Sequence, residues 1–377
     1  MTDAPNEELP DALRDLPPDE TTNAIAAVSR EIQKKSATRQ IAEIGFSLVL
    51  VLVIFVFVIP KITGADYANV WAEMGKLSSL EITGLFVVWI LGMLAYTGVL
   101  TNTLPGLKHM QALCVNLAGS AVSNLLPFGG AVGAGATYAI NMSWGFKAPA
   151  ITLSILVSGI WNVLAKLAMP LLAVILLLLA RDTTGKLILP AVLGLIILVS
   201  AVVILGLIVR SERLALQIGR IGQSIVGWIC RIAHHDNPPD IATAILSFRR
   251  QSIGLVKEHW LFITLWIFLF NLTQFLLLFA CIRAVGIDGI TLTEAFAAFA
   301  FARLLETIPL TPGGVGFVEV GTASALISFG GAENAATAAV FLFRGFVYLL
   351  EIPLGALAWV AWATMLRWRR PVGSART

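Results

Sequence analysis

The chain has 377 residues, 57% of them hydrophobic and 13% charged, with a mean hydropathy of +0.84. That balance lies outside the range of soluble globular domains and points to an integral membrane protein. The formal net charge is only +3, and the basic residues fall in interhelical segments and at the C-terminus, which argues against a nucleic-acid-binding surface and suits membrane topology.

In chain order, residues 1–40 come first, with DALRDLPPDE and then SREIQKKSATRQ, and read as a cytosolic, mostly disordered tail ending in a short helix. The first apolar run, IGFSLVLVLVIFVFVIP (44–60), begins too late for a secretory signal and is long enough to span. Further spans are predicted at 82–103, 149–180, 187–209, 260–283 and 334–366, and the third and last of the six contain Pro170 and Pro353. Each of those two is open to being one kinked helix or two short ones. Lys34, Lys35 and Arg39 precede the first span, seven Lys/Arg lie in the 210–258 connection, and Arg367, Arg369 and Arg370 follow the last. By the positive-inside rule these segments face the cytosol, so the expectation is a multi-pass protein of the plasma (inner) membrane with both termini cytosolic. The connection, with LALQIGRIGQSIVGWICRI, reads as an amphipathic helix at the interface, and 371–377 as a short cytosolic tail to a 41–370 membrane domain.

Counting crossings makes 109–146 enter and leave from the inside, and 292–331 begin and end outside. Each becomes a re-entrant hairpin of half-helices, broken at LPFGGAVG (126–133) and LTPGGVG (310–316). The break residues are Pro127, Gly129 and Gly130 in the first and Pro309, Pro312, Gly313, Gly314 and Gly316 in the second. Proline removes a donor and glycine permits conformations other residues avoid, and such backbone survives at membrane depth only inside protein or beside a polar cavity. Gly130 to Pro170 is forty residues and Gly314 to Pro353 thirty-nine, and each copy has a break, a short helix, a glycine turn (Trp144-Gly145, Gly330-Gly331) and a long proline-containing helix. The predicted fold is therefore all-α, polytopic, with an inverted-topology repeat that places a binding site between the copies.

Charges cluster there: Arg303, Glu306 and Glu319 around the second break, Arg344 and Glu351 in the following helix, and Lys166 in the corresponding helix of the first copy. A charge near the bilayer centre costs roughly 2.5–3.5 kcal/mol, so these six must pair or face water. Arg303 and Glu306 are three residues apart on one face, and Arg344 has Glu319 or Glu351 as its partner. These residues are the candidates for substrate binding and translocation.

The stretch AFAFARLLETIPLTPGGVGFVEVGTASALISFGGAENAATAAVFLFRGFVYLLEIPLG resembles the C-terminal signature of the lysylphosphatidylglycerol synthase transmembrane region, a family of flippase-like membrane proteins. The matching positions are Pro309, Pro312, Gly313, Gly314, Gly316, Glu319 and Arg344. The first half departs: YTGVLTNTLPG, LPFGGAVGAG and VSGIWNVLAKLA lack the family's usual charges, except at Lys166. The resemblance is to the stand-alone form without the aminoacyltransferase domain, and it implies translocation of a phospholipid or a polyprenyl-phosphate-linked glycolipid between leaflets. Its partners are then membrane lipids with an anionic or phosphate-bearing headgroup.

Two other classes stay open, a small-solute or ion-coupled secondary transporter and a scaffold subunit for a lipid-modifying enzyme. An enzyme is not expected: no P-loop, nucleophile elbow or zinc spacing is present, and no cofactor or metal is called for. His109 and His259 lie in connecting segments, and His234-His235-Asp236 reads as a solvated turn. Cys114, Cys230 and Cys281 stand too far apart in sequence for a metal-binding spacing and suggest no disulfide framework.

Overall fold

The computed structural model describes residues 57–125, 129–180, 241–307 and 311–364, with Val53 and Ser200. The N-terminal tail, most of the 44–60 span, all but one residue of the 187–209 span, the connection up to residue 240, Pro127, Pro309, Cys230, the His234-His235-Asp236 turn and the C-terminal tail lie outside the described residues. The chain divides into two units. Residues 1–34 with 199–261 form one, whose described part is Ser200 and the helical stretch from 241 onward; residues 35–198 with 262–377 form the other and hold every remaining element.

Every described element is helical and no strand is present among them. They are α1 (Ile59–Thr63), α2 (Tyr67–Met74), α3 (Ser79–Thr103), α4 (His109–Leu125), α5 (Gly129–Ser143), α6 (Ala148–Leu179), α7 (Ile241–Ala284), α8 (Leu292–Leu305), a 3₁₀ turn (Pro312–Gly314), α9 (Phe317–Ser328), α10 (Glu333–Arg344), a π turn (Gly345–Leu349) and α11 (Glu351–Thr364). Four stretches are long and apolar enough to cross a bilayer: Ser79–Thr103, Ala148–Leu179, Glu258–Ala284 and Glu333–Thr364. The protein is thus a polytopic, all-α membrane protein, and these stretches coincide with four of the six spans predicted from hydropathy.

Local chemistry sets the helix starts. Ser78 and Glu81 form a reciprocal capping box at α3, and Thr291 and Glu294 repeat it at α8, so orphan N–H groups of the first turn are satisfied. Of the two proline-containing spans, α6 runs unbroken through Pro170 for 32 residues. The other is one helical run in which the π turn precedes Pro353, with the Leu350 N–H reaching back to the Gly345 carbonyl at 2.8 Å. Proline cannot donate to the carbonyl four residues earlier, and a wider turn absorbs that loss.

α4, α5, α8 and α9 contain 17, 15, 14 and 12 residues. At 1.5 Å per residue they reach about 18–26 Å, short of the ~30 Å hydrocarbon core. They form two antiparallel pairs. In the first, Gly119 faces Thr137, and Gly129 and Gly133 lie against Ser123; a side chain at Gly129 would run into the Ser123 carbonyl. In the second, Gly321 lies against Leu305 and Phe301, and Gly314 against Glu306. Both pairs end in the same capped turn: Gly145 N–H donates to Met142 at 2.9 Å and Phe146 to Asn141 at 3.3 Å, while Gly330 donates to Ile327 at 2.9 Å and Gly331 to Leu326 at 3.0 Å. Gly145 and Gly330 hold φ of 87° and 94°, the left-handed conformation that such a cap requires.

The long helix after each pair packs on the first helix of the other pair. α6 lies against α8, and α11 against α4, where Gly355 lets the backbones meet at the Leu117 carbonyl. This reciprocal exchange brings the two pairs together, with α3 and α7 flanking: Gly98 lies against Trp266 and Gly92 against Thr273.

Candidate functional site

The second break is built from glycines no other residue replaces easily. Gly313, Gly314 and Gly316 have φ of 60°, 70° and 90°, so the chain turns left-handed three times between Pro312 and α9. The carbonyl of Gly313 thereby accepts from Arg344 Nη2 at 2.9 Å. Arg344 Nε donates to Glu319 Oε1 at 2.6 Å, and the other carboxylate oxygen accepts from the Gly316 N–H at 2.5 Å. Glu319 therefore ties the first turn of α9 to α10. Of the two partners the sequence offers it, Arg344 takes Glu319; Glu351 makes no ion pair among the described residues, since the π turn between them changes the helical phase.

The second charge group joins α6 to α8. Glu306 Oε2 accepts from Arg303 Nη1 at 2.6 Å, as the three-residue spacing predicts, and also from Lys166 Nζ on α6 at 3.1 Å. Arg303 Nη2 reaches Asn271 Oδ1 at 3.3 Å, its guanidinium lies 6.0 Å from the rings of Phe270 and Phe299, and its Nε has no partner among the described residues. One carboxylate thus serves two cations in this cluster; with Arg344, Glu319 and Glu351 the buried candidates are three cations and three acids.

Lys166, Arg303, Glu306, Arg344, Glu351 and Gly313 all line one cavity of about 270 Å³, together with Asn162, whose buried Oδ1 has no partner among the described residues. Five of the six charged candidates thus meet at the exchange of long helices, and the sixth, Glu319, backs Arg344. Gly129 and Gly130 open α5; Gly129 sits where the first pair closes, whereas Gly130 has open space around it.

Sequence reasoning missed Tyr348. Its ring lies under the Arg344 guanidinium at 4.7 Å and against Gly313, and its hydroxyl donates to the Asn124 carbonyl at 2.6 Å while Asn124 Nδ2 donates back to the Tyr348 carbonyl at 3.3 Å. One side chain therefore contacts the second break and the last turn of α4, which leads into the first. The available signal was its place four residues after Arg344, on the same helical face. Also missed was α2, which with Arg344, Tyr348 and Glu319 lines an apolar groove of about 580 Å³. Trp71 and Leu349 on that groove are 64% and 65% exposed.

A membrane protein of paired helical hairpins around a buried charged cavity is the class these features define. The chain belongs to the lysylphosphatidylglycerol synthase TM region family, whose family model matches residues 41–355. No curated protein matches it.

Proposed function

We propose that the protein carries a lipid with a phosphate-bearing headgroup between leaflets, with the headgroup in the charged cavity and the tails on the apolar groove. The observation that carries this reading is the shared wall: Arg344 and Tyr348 line both the cavity and the groove. A small-solute carrier has no use for an apolar groove beside its site, whereas a lipid needs both surfaces at one point. The phosphate is drawn by Lys166 and Arg303, which together exceed the charge of Glu306, and hydrogen bonds to a charged guanidinium are short and strong. Arg344, held at Nε and Nη2, completes the site as a fixed fork. The two hairpins then act as re-entrant elements of an inverted repeat, with both termini on the cytosolic face of the plasma (inner) membrane, as the Lys/Arg distribution supports. No covalent step enters, and the partners are the lipids themselves.

The test is leaflet exchange in proteoliposomes with fluorescent phospholipids and polyprenyl-phosphate sugars, quenched from outside. Exchange above protein-free vesicles is expected, and Lys166→Ala with Arg303→Ala should remove it. Uptake of soluble phosphates with no lipid exchange would replace this reading with a solute carrier. Inactivity in both assays would favour a scaffold.

A further inference from the structure

Beside the charged cavity lies a second one of about 270 Å³, formed by α3, α4, α5 and α6, and the two share Tyr96, Asn116, Ser120 and Asn124 as a common wall. Its lining contains no charged residue among the described residues. The polar groups on it are hydroxyls and amides, among them Ser123, Thr137, Asn141, Ser154 and Ser158. Ser158 donates to the Ser154 carbonyl at 2.7 Å, and the Ser154 hydroxyl pairs with Thr103 at 2.8 Å. Asn141 is only 3% exposed; its Nδ2 donates to the Thr137 carbonyl at 2.9 Å, and its Oδ1 has no partner among the described residues. Because a carbonyl accepts only from the amide nitrogen, that bond fixes the orientation and leaves an acceptor unpaired in a buried place, which costs free energy until a donor arrives.

We infer that this neutral chamber is a subsite for a hydroxyl-rich, uncharged group joined to the phosphate, so that the substrate is a polyol phosphodiester and not an aminoacylated or otherwise cationic lipid. The inference rests on the reading of the charged cavity as a phosphate site. A hydroxyl both donates to Asn141 Oδ1 and accepts from serine and threonine, whereas an ammonium finds no carboxylate among the described residues of this lining, Glu306 and Glu351 lining the charged cavity instead. The chamber far exceeds the ~30 Å³ of one water, so it has room for a glycerol-sized group.

Two assays on the full chain separate this inference from the function beneath it. In detergent, glycerol 1-phosphate should raise the thermal midpoint more than inorganic phosphate or ethanolamine phosphate, with roughly tenfold tighter binding, the worth of one or two hydrogen bonds. Asn141→Leu and, as a milder change, Ser158→Ala should bring glycerol 1-phosphate to the level of phosphate while leaving phosphate binding unaltered. In proteoliposomes, fluorescent phosphatidylglycerol should exchange faster than phosphatidic acid or phosphatidylethanolamine, and Asn141→Leu should remove that preference only. Uptake of radiolabelled glycerol 1-phosphate distinguishes a free polyol phosphate from a lipid-linked one. Lipid exchange with no polyol preference in either assay overturns the subsite and keeps the lipid carrier. Polyol preference in binding without lipid exchange keeps the subsite and overturns the lipid carrier, and equal slowing of every lipid by both variants makes Asn141 and Ser158 structural and overturns the subsite.

Discussion

Glu306 is the residue on which the charged cavity turns, because its single carboxylate offsets Lys166 from the first copy and Arg303 from its own helix. Removing one partner from a buried ionic group leaves an uncompensated charge and costs about 3–5 kcal/mol. Glu306→Gln should therefore lower the thermal midpoint sharply, and adding Lys166→Met should recover stability without recovering lipid exchange. A single variant as stable as the parent would show that the cluster is hydrated and carries no such load. The charges themselves were legible in the sequence, since each is expensive in a bilayer and marks itself. Their pairing was only half legible: Arg303 with Glu306 follows from helical spacing, but Lys166 reaches Glu306 across 140 positions and through the helix exchange, which no local pattern encodes. Tyr348 was hidden for a related reason, because an aromatic in an apolar helix reads equally well as facing lipid.

At the scale of elements, the π turn and the second break are one device. The wider turn follows directly after Arg344 and contains Tyr348, whose ring covers Gly313 and whose hydroxyl holds the last turn of α4. The last turn of α4 and the break of the second hairpin are thus joined through one phenol. Tyr348→Phe keeps the ring on Gly313 and Arg344 but leaves the Asn124 carbonyl without its donor, at a cost of about 1–3 kcal/mol. A lower thermal midpoint and slower exchange are expected; both unchanged would mean that α4 and the second break are not coupled through this contact. The glycine turns at Gly145 and Gly330 belong to the same scale and were plain in the sequence, because a left-handed cap restricts its residue so strongly. The groove-lining helix α2 was not, since eight residues between two predicted spans, YANVWAEM, are too short a window to stand out as an element.

For the whole molecule, the reciprocal packing of α6 on α8 and α11 on α4 is what two copies related by a two-fold axis would produce, and it adds to the matched turns and spacings an observation independent of sequence. A two-fold axis lying in the membrane plane carries a further consequence. The ends of the first hairpin would lie on one side of the bilayer and those of the second on the other, whereas an axis along the membrane normal would put all four ends on the same side. Lys108 and Lys147 flank the first hairpin, Gly289 and Ala332 flank the second, and all four are exposed. With Cys114, Cys230 and Cys281 replaced, single cysteines at 108 and 147 should react with an impermeant thiol reagent only from the cytosolic side, and those at 289 and 332 only from the opposite side. The positive-inside distribution fixes the expected sign, because Lys108 and Lys147 are themselves basic. Reaction of 289 and 332 from opposite sides would make the second hairpin two crossings. Reaction of all four from the cytosol would turn the repeat parallel, and a headgroup path through the meeting of inverted hairpins would then have to be abandoned.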